Sequence, residues 1–419
     1  MKNCVSPRKR HRNQVLCTSK LLVIPGRCES SGDTLAFLTS LLEGFAQCGA
    51  VQQICVLVQA GSPLEQELAD AGLLFSVQSI PVRSASQFLT HALQWVNQQP
   101  AEWPLLLDNW RPSVLWSTLI LAAPRLCWSN RQVYHFYRDT ALLQNPGLLL
   151  LQKLAFLYLA HHTICSSYFT AWHIARFTKN LRGILYPPVE NDRGFNPSRS
   201  HEIPEPLATA IRTGAKIILA PYRCKTAQSG TDQSLMALIP MIVYLHSQGH
   251  SYHIALISED EGITPGLVRK LRERLKQIGG GTWVTVLPSG ARMSDYYSYT
   301  EVVVALSPQE PCGRVVVEAI TAGVPVVGSQ TGGIGEILSH FAPEWSVDAT
   351  DPIVVAETIL HLNADLNTPQ KLVCGQEWIR MQGTLADYAR KMMMITKMIP
   401  DSSRQWVRQG QATLSASSN

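Results

Sequence analysis

Charged side chains are scarce in this chain. They make up 16% of 419 residues, where about a quarter is usual, while apolar residues reach 46%. Disordered chains have the opposite balance, so the scarcity excludes one and calls for well-filled cores. A strong excess of one sign is also missing. The net charge is +5, and Arg8, Lys9, Arg10 and Arg12 supply part of it. That run reads as a solvated tail, with a weak contact to anionic lipid or polymer as the alternative, and nothing points to nucleic acid.

The ten cysteines contain no CxxC pair, which argues against a zinc ribbon or a disulfide frame and for buried thiols in a reducing compartment. Long hydrophobic runs are missing as well. The greasiest segment, GLLLLQKLAFLYLA (147–160), is interrupted by Gln152 and Lys153 and is shorter than a membrane span. It reads as a buried amphipathic helix, with peripheral docking on a membrane as the alternative. No signal-peptide core follows the basic start. The expectation is a cytoplasmic protein, with the inner face of the membrane as the peripheral alternative. Short-period repeats and low-complexity segments are absent too.

What is present is a rhythm. Apolar runs such as KLLVIP (20–25), QICVLVQ (53–59), WPLLLDN (103–109), QVYHFYR (132–138) and HHTICSS (161–167) alternate with helix-length segments. In DTLAFLTSLLEGFAQCG (33–49) the apolar positions 35, 38, 41, 42 and 45 share one helical face. Proline, asparagine and charge then break the rhythm around 187–206. It restarts with KIILA (216–220), YHIALIS (252–258), WVTVLP (283–288), EVVVALSP (301–308) and VPVVGS (324–329). Continuous apolar strands between helices are what parallel sheets covered on both faces require. The fold class expected is α/β, with two doubly wound Rossmann-like domains facing each other across a cleft. The expected order is a basic tail (1–16), a first domain (17–190), a linker (191–206), a second domain (207–384), a crossover helix returning to the first domain (385–400) and a flexible tail (401–419).

One stretch concentrates chemistry: EPCGRVVVEAITAGVPVVGSQTGGIGE, residues 310–336. It follows a strand, so its first residues face the crevice outside the carboxyl ends of a parallel sheet. A helix should begin near Gly313 and stop at Gly323 and Pro325. Its free amides suit phosphate oxygens, and Gly313 permits close approach of a ligand. Glu310 and Glu318, eight apart, can each accept from hydroxyl pairs on different parts of one ligand. TGGIGE (331–336) looks like the same device again. A diphosphate flanked by hydroxyl-rich rings, as in a nucleotide sugar, fits these parts.

This stretch resembles the signature of the family 4 retaining glycosyltransferases, which have the GT-B fold. VTVLPSGARMSDYYSYTEVVVALSP, HHTICSSYFTAWHI and LYPPV extend the likeness over most of residues 130–340. The resemblance implies transfer of a hexose-type sugar from a nucleotide diphosphate sugar to an acceptor hydroxyl on a glycan, lipid or small molecule. It implies retention of configuration, no cofactor and no metal. Glu310 is then the residue beside the donor hexose, Glu318 the ribose ligand, and the backbone at Gly313, Arg314 and Val315 the contact for sugar and diphosphate. Arg223 matches the arginine that neutralises the leaving diphosphate. The companion lysine position holds Gln228, and Lys225 is its nearest substitute. A first-domain residue near the anomeric carbon is expected at His135 or, in another local alignment, at Asp139. Gly32, in IPGRCESSGDT, is the candidate for a phosphate or acceptor loop. The reading from another class is a degenerate GT-B protein that binds a glycan or a partner without catalysis.

Overall fold

A computed structural model describes residues 19–26, 32–73, 76–82, 84–109, 130–138, 162–175, 178, 180–188, 203–222, 230–258, 265–288 and 293–399. The basic tail, the apolar segment 147–160, most of the linker and the C-terminal tail lie outside the described residues.

The alternation in the sequence becomes two wholly parallel sheets. The first contains β1 (Leu21–Pro25), β2 (Ile54–Gln59), β3 (Val77–Ile80), β4 (Leu105–Asp108), β5 (Val133–Tyr137), β6 (His162–Cys165) and β7 (Leu181–Ile184), in the order β3-β2-β1-β4-β5-β6-β7. The second contains β8 (Lys216–Tyr222), β9 (Tyr252–Ser258), β10 (Val284–Val286), β11 (Thr300–Ala305), β12 (Val326–Ser329) and β13 (Ser346–Val347), in the order β10-β9-β8-β11-β12-β13. Each order reverses beside its first strand, between β1 and β4 and between β8 and β11. These are the switch points where α/β sheets open a crevice.

Among the described residues the α-helices, in chain order, are α1 (Gly32–Gln47), α2 (Pro63–Asp70), α3 (Ala85–Asn97), α4 (Tyr168–Ile174), α5 (Ala208–Arg212), α6 (Gly230–Ser247), α7 (Pro265–Gln277), α8 (Arg314–Thr321), α9 (Gly332–Leu338), α10 (Pro352–Ala364), α11 (Thr368–Gln382) and α12 (Leu385–Ile395). Strand β1 shows why its whole sequence is apolar. Leu21 and Val23 enter one core with Leu38, Leu41 and Phe45 of α1, while Leu22 and Ile24 enter another with Leu89 and Leu93 of α3. Both faces are covered, so no polar alternation survives.

Helix α12 follows the second domain in sequence, yet its Tyr388, Ala389, Met392 and Met393 are buried in the first domain's core with Phe37 and Leu41. Thr384 caps it reciprocally with Asp387. Gly44 on α1 makes the approach close, because a Cβ there would lie 2.2 Å from the Leu385 carbonyl oxygen and 2.9 Å from the Ala389 Cβ. Glycine inside a helix costs about 1 kcal/mol relative to alanine, and this contact accounts for it. Gly44→Val should therefore overpack the junction and lower stability by about 2 kcal/mol, read as a fall in the urea midpoint at unchanged slope.

Candidate active site

Among the described residues, an opening lies at the second sheet's switch point. An open cleft is lined by Pro221 and Tyr222 at the end of β8, Leu306 and Ser307 after β11, Glu310, Val315 on α8 and Ile334 on α9. Its floor is apolar, with Leu235 and Leu238 of α6 and Leu256 of β9. Glu310 brings a carboxylate into this lining and is only 8% exposed.

Local backbone chemistry explains how that carboxylate is held. The chain leaves β11 at Ala305, passes Pro308 and reaches Gly313, whose φ of 61° lies in the left-handed region and which caps α8. Most side chains resist that conformation. Space reinforces the choice of glycine, since a Cβ on Gly313 would sit 2.5 Å from the Gly333 carbonyl oxygen. The Gly333 amide in turn donates to the Glu310 carbonyl at 2.7 Å. A Cβ on Gly332 would lie 2.9 Å from that same Glu310 carbonyl oxygen. The glycines of TGGIGE are buried and filled by protein. They let α9 pack against the loop carrying Glu310, which differs from the second ligand-facing glycine device expected from the sequence.

On α8, Val315 is buried and lines the cleft. Arg314 Nε donates to Glu318 Oε1 at 2.6 Å, one helical turn along. The Tyr297 hydroxyl lies 3.5 Å from Glu318 Oε2. The Glu318 carboxylate is thus already oriented, but it is half-exposed and in contact with solvent, so its pairing with Arg314 adds little stability.

In the first domain, His135 lies in the middle of β5, between Leu107 of β4 and Thr163 of β6. It is buried, its ring meets Tyr137 edge-on at 5.3 Å, and burial pushes its pKa down to about 3. His135 is therefore a neutral strand residue at physiological pH, and it is not among the residues lining the cleft. The adjacent switch point is occupied by an ion pair. Arg138, just after β5, donates from Nε to Asp108 Oδ1 at 2.9 Å and from Nη2 to Oδ2 at 2.8 Å, and its guanidinium lies 4.9 Å from the centre of the Phe37 ring. A Cβ on Gly26 would meet the Asp108 carbonyl oxygen at 2.6 Å, so β1 and β4 close tightly there. Gly32 is the first residue of α1. Asp139, Arg223, Lys225 and Gln228 lie outside the described residues.

Sequence reasoning assigned no role to the contact that joins the two domains. Glu336, on α9, accepts from the Tyr168 amide at 2.9 Å and from the Phe169 amide at 2.7 Å, the first turn of α4 in the first domain. The Tyr186 hydroxyl donates to the same carboxylate. Burial pushes the Glu336 pKa up, and the three donors oppose that shift. Beside it, the Ser167 hydroxyl donates to the Pro311 carbonyl, as does Thr170 Oγ1 at 3.1 Å. Burial raises the Tyr388 pKa, with Arg138, Asp108 and Cys312 also acting on it. The only sequence signal was the serine pair after β6, a good helix cap, and the last residue of TGGIGE.

Residues 265–374 match the family model described as Glycosyl transferases group 1. A stretch of 113 residues is 32% identical to the D-inositol 3-phosphate glycosyltransferase of Xylanimonas cellulosilytica, covering 26% of this chain and 27% of that relative. The chain thus spans about a quarter of the curated relative it matches. Among solved structures, HepE from Anabaena in complex with UDP and glucose superposes with a TM-score of 0.66 at 15% identity, over 91% of this chain and 100% of that one. A glycosyltransferase from Rickettsia africae superposes at 0.68 and 13% identity, over 92% and 100%. The sucrose-phosphate synthase of Thermosynechococcus elongatus superposes at 0.58 and 17%, over 94% and 100%. The two parallel-sheet domains form a GT-B fold.

Proposed function

We propose that the protein is a retaining glycosyltransferase, moving a hexose-type sugar from a nucleotide diphosphate sugar to an acceptor hydroxyl on a glycan, lipid or small molecule, without a divalent metal. The observation that carries this reading is the buried Glu310 carboxylate in the switch-point cleft, three residues before the left-handed Gly313 cap of α8. Glu310 accepts hydroxyls of the transferred sugar. The backbone amides at Gly313, Arg314 and Val315 contact the sugar and diphosphate, and Glu318 accepts from the ribose diol. Arg223 and Lys225 neutralise the departing diphosphate, the step in which most of the transition-state charge develops. Contact between the domains excludes water, which otherwise competes as acceptor. The match at 265–374 to Glycosyl transferases group 1 and the likeness to a structure holding UDP and glucose support the same reading.

A screen of UDP-, GDP- and ADP-sugars by thermal stabilisation tests it. A true donor present at 100 times its Kd should add about 2.7 kcal/mol, and the same donor should then support transfer or slow hydrolysis. Gln228, standing where the resemblance expects lysine, favours a second reading, a sugar- or partner-binding protein without turnover. Stabilisation by a donor with no transfer or hydrolysis selects that second reading. No stabilisation by any donor sinks the nucleotide-sugar assignment.

A further inference from the structure

The peptide groups on either side of Pro311 are held from two directions. From within the second domain, the Gly333 amide of α9 donates to the Glu310 carbonyl at 2.7 Å. From the first domain, Ser167 and Thr170 of the α4 cap donate to the Pro311 carbonyl. The two holds are themselves linked, because Glu336 is three residues beyond Gly333 on α9 and caps the α4 amides. Ser167 and Thr170 are fully buried, so neither hydroxyl has water as an alternative partner. Ser167 Oγ also accepts from the Thr170 amide at 3.0 Å, which fixes its direction.

We infer that Ser167, Thr170 and Glu336 are positioning residues through which the first domain sets the backbone carrying Glu310, so that the donor site is complete only while the domains are in contact. This rests on the transfer reading given above. Domain adhesion alone could use any exposed surface. Here the bonds end on the backbone carbonyl of Pro311, the residue that follows the proposed sugar-binding Glu310. A small misplacement of such a group costs far more in turnover than in ground-state binding. The nucleoside diphosphate end of the donor, served by α8 and Glu318, should feel no loss.

Thr170→Val removes the hydroxyl at nearly constant shape, while Thr170→Ser keeps it. In the full chain, Thr170→Val should lower kcat with UDP-glucose, or with the donor found by the screen, about tenfold. Affinity for the free nucleoside diphosphate should stay unchanged, and Thr170→Ser should restore kcat. Maleimide labelling of Cys312, resolved by peptide mass mapping, gives a readout independent of activity, and it should be faster in Thr170→Val. Parent-like kcat in Thr170→Val, equal losses in the valine and serine variants, or a parallel fall in diphosphate affinity would each overturn the proposal. If the parent takes no sugar nucleotide, the transfer reading fails on its own. Cys312 labelling then decides the latch, with faster labelling in the valine variant supporting it and an unchanged rate overturning it.

Discussion

Glu310→Gln should reduce sugar transfer by about two to three orders of magnitude and leave the fold nearly untouched. The amide has the carboxylate's size, and Glu310 is held in the loop through its own carbonyl, to the Gly333 amide. The substitution keeps that backbone hydrogen bond in place. What disappears is a buried acceptor for sugar hydroxyls and a negative charge where positive charge develops at the anomeric carbon. In a cleft with an apolar floor that charge acts at low dielectric. The check is kcat and KM with the donor found by thermal screening, together with the unfolding midpoint. A near-parental kcat would remove Glu310 from the reaction. Glu318 should behave differently, because it is half-exposed and already paired with Arg314. Its loss belongs mainly in donor affinity.

The second large effect concerns Gly313. Gly313→Ala should cost about 3 kcal/mol or more of stability and most of the activity. Two costs add: the left-handed φ of 61°, about 1–2 kcal/mol for a residue with a Cβ, and the collision of that Cβ with the Gly333 carbonyl at 2.5 Å. Relief of the collision must push α9 away from the loop and stretch the Gly333-to-Glu310 hydrogen bond. Stability and catalysis should fall together for that reason. Gly323 supplies the control. Its φ is 77°, but a Cβ there meets nothing within 4 Å, so Gly323→Ala should lose only about 1 kcal/mol and keep its kcat. Equal losses at the two positions would show that backbone strain alone, without the contact to α9, sets the penalty.

The fold was largely legible because its signals are local. YHIALIS becomes β9 over its whole length, and the helix face at 35, 38, 41, 42 and 45 becomes α1, closed by Gly49 in the left-handed region. Shorter or less regular elements were harder. Strand β7 runs over Leu181–Ile184, where Arg182 and Gly183 interrupt the apolar pattern. The two-residue β13 has too few positions to show a period. At the site, the start of α8 could be predicted from one glycine before an apolar helix. The orientation of TGGIGE could not. Its glycines answer to Glu310 and Cys312, some twenty residues earlier, and Glu336 answers to Tyr168, 168 residues earlier. Such relations exist only once both domains are in place, and nothing in the local pattern encodes them.

The position of α12 in the first domain's core also sets an order of events during synthesis. By the time Cys165 has left the ribosome, six strands of the first sheet have been made. The apolar face of α1 then still lacks Tyr388, Met392 and Met393, which pack with it in the finished core. The whole second domain, which carries its own separate core, is translated in between. At roughly 5–20 residues per second, more than two hundred residues keep that face uncovered for at least about ten seconds. The domain made first is completed last, so the nascent chain, more than the finished protein, is the form most exposed to aggregation and to chaperone capture.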